Sequence, residues 1–93
     1  MRVTVKLGRR FAAEAGSEEF PLDLPKGSTA ASLLAAIASR APKLSCLDAA
    51  GTTVDLSVAN LSVNGRAVDP RNPSALALAE GDSCYLYGII GGG

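Results

Sequence analysis

One stretch of this sequence repeats its apolar residues with the period of a helix, and the other legible stretches repeat theirs with the period of a strand. The helical stretch is PKGSTAASLLAAIASRAP, residues 25–42. Within it Ala30, Leu33, Leu34, Ile37, Ala38 and Ala41 recur at the three- and four-residue spacing that lines one face of an α-helix. Ser28 or Thr29 stands where a side-chain oxygen accepts from the free N–H groups of a first turn. Pro42 disfavours the α conformation at Ala41, so the helix is predicted to end there. It is the one convincing helix of the chain.

Strands are predicted on both sides of it. In RVTVKL, Val3, Val5 and Leu7 face one way and Arg2, Thr4 and Lys6 the other, the period of a half-buried strand. Residues 8–18 carry Gly8, Arg9, Arg10, Gly16 and Ser17 and read as a loop. EFPLDL alternates again through Phe20, Leu22 and Leu24, and Pro21, which donates no ladder hydrogen bond, places this strand at an edge or delays its start. The two runs suggest an N-terminal hairpin. Residues 43–57 show no clear pattern. Leu61 and Val63 alternate into Asn64-Gly65, a pair suited to a tight primed turn, with Ala67-Val68 returning. Pro70 and Pro73 predict an irregular segment, Leu76 and Leu78 turn inward, and Gly81-Asp82 makes a turn. The last strand, SCYLYG, sets Cys84 and Leu86 against Ser83, Tyr85 and Tyr87. This order predicts an α+β domain, a mixed sheet of four to five strands with one main helix on one face, in which the final strand enters beside the first.

Composition narrows the possible functions. At 93 residues, 47% hydrophobic and 19% charged, the chain is predicted to be one globular domain. Nine basic and nine acidic residues cancel, so no net field draws in nucleic acid or an anionic membrane. No run approaches the ~20 apolar residues of a membrane span, and the opening MRVTVKL alternates instead of forming a signal sequence, so a cytoplasmic protein is expected. Histidine is absent, which removes the commonest general base and the commonest metal ligand. Two cysteines alone make neither a zinc site nor an iron–sulfur site, and no phosphate-binding glycine motif occurs. Cys84 reads as core filler, and Cys46 has no assignable role. The expectation is a non-enzyme with no metal, no bound cofactor and no catalytic residue.

The sequence closes on LYGIIGGG, residues 86–93. Residues 1–87 are therefore read as the folded domain and 88–93 as a flexible glycine-rich tail. A terminal carboxylate is a poor electrophile until it is activated, for instance as an acyl-adenylate, and an activating enzyme must then shield it from water. A tail that threads a narrow channel carries no side chains near its tip, a condition met by Gly91, Gly92 and Gly93. Fully extended, residues 88–93 span roughly 20 Å. Ile89 and Ile90 provide an apolar handle at the base of the tail, and Leu86, Ile89 and Ile90 are the residues expected to dock a partner.

The whole chain resembles the ubiquitin-like β-grasp sulfur carriers, the family of the molybdopterin synthase small subunit (MoaD) and the thiamine-biosynthesis carrier (ThiS). The resemblance runs through VTVKL, LPKGSTAASLLAAIA, SVNGRAV and LAEGDSCYLYGIIGGG, and in length the chain is closer to the MoaD type. It implies a ubiquitin-like β-grasp fold. It implies that an adenylyltransferase of the ubiquitin-activating type (MoeB- or ThiF-like) uses ATP to adenylate the carboxylate of Gly93, and that sulfur then replaces the adenylate to leave a thiocarboxylate. Gly92 matches the penultimate glycine of the family. In the MoaD type the sulfur passes to a pterin in a larger, MoaE-like catalytic subunit of molybdopterin synthase. Other readings stay open: a ThiS-like carrier for thiamine or another metabolite, a modifier whose Gly93 acylates lysines, or a passive interaction domain.

Overall fold

The computed structural model describes residues 1–89. The first strand, β1 (Arg2–Leu7), leads into a short helix α1 (Arg9–Ala15) and returns as β2 (Glu19–Asp23). The main helix α2 (Ala30–Arg40) follows, then β3 (Ala59–Val63), β4 (Arg66–Ala67), a 3₁₀ turn (Pro73–Ala75) and β5 (Ser83–Gly88). The sheet order is β2-β1-β5-β3-β4. β5 enters between β1 and β3, parallel to the first and antiparallel to the second, so the sheet is mixed, as expected.

The α2 pattern is realised residue by residue. Ala30, Leu33, Leu34, Ile37, Ala38 and Ala41 are all buried, and the core cluster joins the helix to Val3, Val5 and Leu7 of β1, Leu61 of β3 and Cys84 and Leu86 of β5. Thr29 is the N-cap. Its hydroxyl accepts from the Ser32 N–H, and the Ser32 hydroxyl accepts from the Thr29 N–H. Ser28 instead donates to the Pro25 carbonyl. Thr29→Ala is expected to cost about 1 kcal/mol by orphaning that first-turn N–H, which lowers Tm by about 4–8 °C in a domain of this size. A thermal melt beside a Ser32→Ala control measures it.

Pro21 sits on the edge strand, with β1 as the only neighbour of β2 among the described residues. Asn64 (φ 51°) and Gly65 (φ 83°) both adopt the positive φ of a primed hairpin turn. The Asn64 amide then donates to Asp82 and its carbonyl oxygen accepts from the Ser83 N–H, tying this turn to the Gly81-Asp82 turn that starts β5.

One segment differs from the sequence expectation, and a second takes a structure that no hydrophobic period announces. Residues 9–15 form a helix instead of a loop. Seven residues are too few to display a period, and Phe11 is their one buried anchor. The helix stops at Gly16 (φ 75°), a left-handed C-cap whose N–H returns to the Ala12 carbonyl, while Arg10 and Glu14 pair across one turn. Residues 43–57, unreadable by period, form a loop pinned by its own carboxylates. Asp48 accepts from the Thr52 and Thr53 N–H groups and Asp55 from Ser57, which leaves Leu44, Cys46 and Val54 free to enter the core. Those hydrogen bonds hold both carboxyls below the usual carboxylate range.

Candidate functional site

The helix-covered face of the sheet is core, so any recognition surface of the sheet lies on its opposite, open face. Strand pairing assigns that face. Lys6 of β1 lies opposite Tyr85 of β5, which lies opposite Ser62 of β3, and Asn60 lies opposite Tyr87. The Tyr85 and Tyr87 rings stack with centroids 4.9 Å apart and planes at 23°. Ala59 pairs with Gly88 at the end of the ladder, and Val58 and Ile89 are the next residues along each chain. Val58 (50% exposed), Tyr85 (40%) and Ile89 (51%) are the exposed large hydrophobic residues among those described, Tyr85 within β5 and the other two just beyond the paired ends of β3 and β5.

Charge around these residues is balanced. At the far end of the face Arg2 donates to Asp23 at 3.0 Å, and that hydrogen bond holds the Asp23 carboxyl below its ordinary range. Beside Tyr85, an open groove of about 880 Å³ runs between the sheet and α1, lined by Lys6, Arg9, Ala12, Ser17, Glu18 and Tyr85.

The residues predicted to dock a partner do not share one environment. Ile89 is exposed at the base of the tail. Leu86 is 0% exposed: it points into the core opposite Leu7 and Leu61, so its side chain cannot meet a partner. The tyrosines on either side of it point the other way, onto the open face. Sequence reasoning passed over them, although the alternation of β5 had already put them on the face away from Cys84 and Leu86. Ile90, Gly91, Gly92 and Gly93, four of the six residues of the predicted tail, lie outside the described residues. Gly88, assigned to that tail, is the last residue of β5.

Nothing in the described residues suggests a catalytic centre. Both cysteines are free and buried, and burial pushes each thiol up to about 11. They therefore stay protonated, and unreactive, near neutrality. A thiol-reactive disulfide reagent at pH 8 is expected to label neither within minutes and both at once after denaturation; rapid labelling of the native chain would contradict this burial. No group of three or more metal-ligating side chains occurs among the described residues. No helix there is long and apolar enough to cross a membrane.

No family model and no curated protein matches the sequence. Solved structures do match. SAMP1 from Haloferax volcanii is 26% identical with a TM-score of 0.79, the match covering 100% of both chains. A putative molybdopterin converting factor, subunit 1, from Pyrococcus furiosus is 27% identical with a TM-score of 0.73, covering 97% of this chain and 99% of that one. Small archaeal modifier protein 1 (SAMP1) from Methanosarcina acetivorans, at 22% identity and a TM-score of 0.73 over 99% and 96% of the two chains, shares the fold.

Proposed function

We propose that this chain, a ubiquitin-like β-grasp protein of the sulfur carrier and modifier class, works as a sulfur carrier through the carboxylate of Gly93. An activating enzyme of the adenylyltransferase type docks on Tyr85, Tyr87 and Ile89 and draws the glycine tail into its site. The Gly93 carboxylate attacks the α-phosphate of ATP and pyrophosphate leaves. A sulfur nucleophile then attacks the acyl carbon and AMP leaves, so that the terminus ends as a thiocarboxylate. The observation that supports this reading is the stacked Tyr85–Tyr87 pair on β5, followed in sequence by Ile89, Ile90 and three terminal glycines, on a domain whose own thiols are buried.

The acceptor we favour is a pterin in a MoaE-like large subunit, a reading supported by the likeness to the converting-factor subunit across nearly the full length of both chains. The likeness to small archaeal modifier proteins favours a second fate, in which the same activated Gly93 acylates lysines of other proteins. The two are separable by mass. Incubation with ATP, a sulfide source and the cognate activating enzyme should exchange one oxygen for sulfur on the intact chain, whereas conjugation leaves a glycine remnant on target lysines. With a demonstrably active cognate enzyme, the absence of both products would refute activation at Gly93. Tyr85→Ala is expected to raise KM for the carrier in adenylation about tenfold, the scale of a truncated aromatic contact near 1.4 kcal/mol. An unchanged KM would move the docking surface elsewhere. A cytoplasmic site of action fits this chemistry, which draws on ATP.

A further inference from the structure

Hydrogen bonds at both ends of the β1–β2 pairing fix which way each β2 residue turns its backbone. At one end the Met1 ammonium donates to the Leu24 carbonyl and the Leu24 N–H donates to the Met1 carbonyl, both at 2.8 Å. At the other the Leu7 N–H donates to the Glu18 carbonyl at 2.9 Å. The register between them runs without a bulge, from Arg2 opposite Asp23 to Lys6 opposite Glu19. Hydrogen-bonded and non-hydrogen-bonded pairs alternate along an antiparallel ladder. Phe20 and Leu22 therefore bond to β1, and Glu19, Pro21 and Asp23 turn their backbone groups outward, to the side where no other described strand lies.

Such an edge is a template for another chain. Two copies of this chain would join it about a two-fold axis, the closed symmetry most homo-oligomers adopt. Antiparallel pairing centred on residue 21 sets Pro21 against the second copy's Pro21, and Glu19 against the second copy's Asp23. The central pair then lacks both of its N–H groups, since proline has none. The flanking pairs put carboxylate opposite carboxylate, which repels. The Glu19 carbonyl is already engaged, accepting from the Ser17 hydroxyl at 2.8 Å. A shift of one residue in phase would turn Pro21 toward β1 and take a donor out of the domain's own ladder, whereas the observed phase costs the hairpin no hydrogen bond. At the opposite edge β4 has only Arg66 and Ala67, too short to template a partner strand.

We infer that Pro21, with Glu19 and Asp23 on either side, bars β2 from pairing with the β2 of a second copy and so keeps this chain a monomer. The block is built from β1, β2 and the Ser17 turn, and it holds whatever happens at the chain end.

The test compares the full-length wild-type chain with Glu19→Thr and with the double variant Glu19→Thr/Pro21→Val. Sedimentation equilibrium over a concentration series is run beside amide hydrogen exchange and a thermal melt. The wild-type chain should be monomeric at every concentration. Glu19→Thr alone should stay monomeric too, because the proline pair still lacks its donors. The double variant should enter a monomer–dimer equilibrium, its amides at residues 19, 21 and 23 gaining protection as the dimer forms. Its Tm as a monomer should lie within a few degrees of wild type, because valine suits a strand and the β1–β2 ladder is unchanged. A double variant that stays monomeric, or that dimerises with protection away from β2, would overturn the inference. So would a wild-type chain or a Glu19→Thr chain that already pairs through β2. A double variant that melts far below wild type or fails to fold would overturn it as well, by showing that Pro21 supports the hairpin itself.

Discussion

Gly92→Val is expected to abolish adenylation of this chain while leaving its fold intact. The argument is steric. The closed site that protects an acyl-adenylate from water must admit the chain end, and a β-branched side chain one residue from the reacting carboxylate widens that end and restricts its backbone. The same substitution changes none of the core residues among those described, which run from Val3 to Leu86. Substitutions outside a core stay within about 0.5 kcal/mol, which here moves Tm by no more than about 2–4 °C. Adenylation should fall by about a hundredfold or more, equivalent to at least about 2.7 kcal/mol of lost transition-state stabilisation. Pyrophosphate release measures the first quantity and a thermal melt the second. A large drop in Tm with adenylation preserved would mean that the tail belongs to the fold, and the carrier reading would fail with it.

The second large effect lies in stability. Leu86 faces the core from the central strand with Leu7 and Leu61 in register on either side, so truncating it empties a position that closely packed neighbours cannot collapse to fill. Leu86→Ala is expected to cost about 3 kcal/mol, against a total of about 5–15 kcal/mol for a domain of this size, and to lower Tm by roughly 12–24 °C. Tyr85→Ala, one residue earlier and facing the other way, is expected to shift Tm by only a few degrees while impairing docking. The pair of melts tests the assignment of faces on β5. A stable Leu86→Ala chain that no longer docks would restore Leu86 to the interface.

The parts of the fold legible in the sequence are those where one local rule acts alone. The helical spacing of Ala30 through Ala41 names six positions, all of them buried, because a helix face is set by its own period. Pro21 marks an edge strand and Asn64-Gly65 a tight turn for equally local reasons. Helix α1 escaped because one phenylalanine cannot establish a period, and its two glycine borders look like loop punctuation. The loop over residues 43–57 escaped because its order comes from the Asp48 carboxylate accepting from N–H groups four and five residues further on, a hydrogen-bond pattern with no hydrophobic rhythm. The open-face position of Tyr85 and Tyr87 escaped because alternation alone does not say which face of β5 is covered.

The sequence by itself determined the strand–helix alphabet, the inward face of α2, the absence of histidine chemistry and the glycine chain end. It did so because propensity, period and side-chain inventory are properties of neighbouring residues. Tertiary structure decided which residues of β5 face the core and which face outward. Period two divides β5 into two faces without saying which one a helix will cover, and only the placement of β5 between β1 and β3 under α2 buries Leu86 and leaves Tyr85 and Tyr87 on the open side. The same long-range pairing sets Lys6 beside Tyr85 across 79 positions of sequence. No local pattern encodes a neighbour that distant, because the contact forms only when the last strand inserts beside the first.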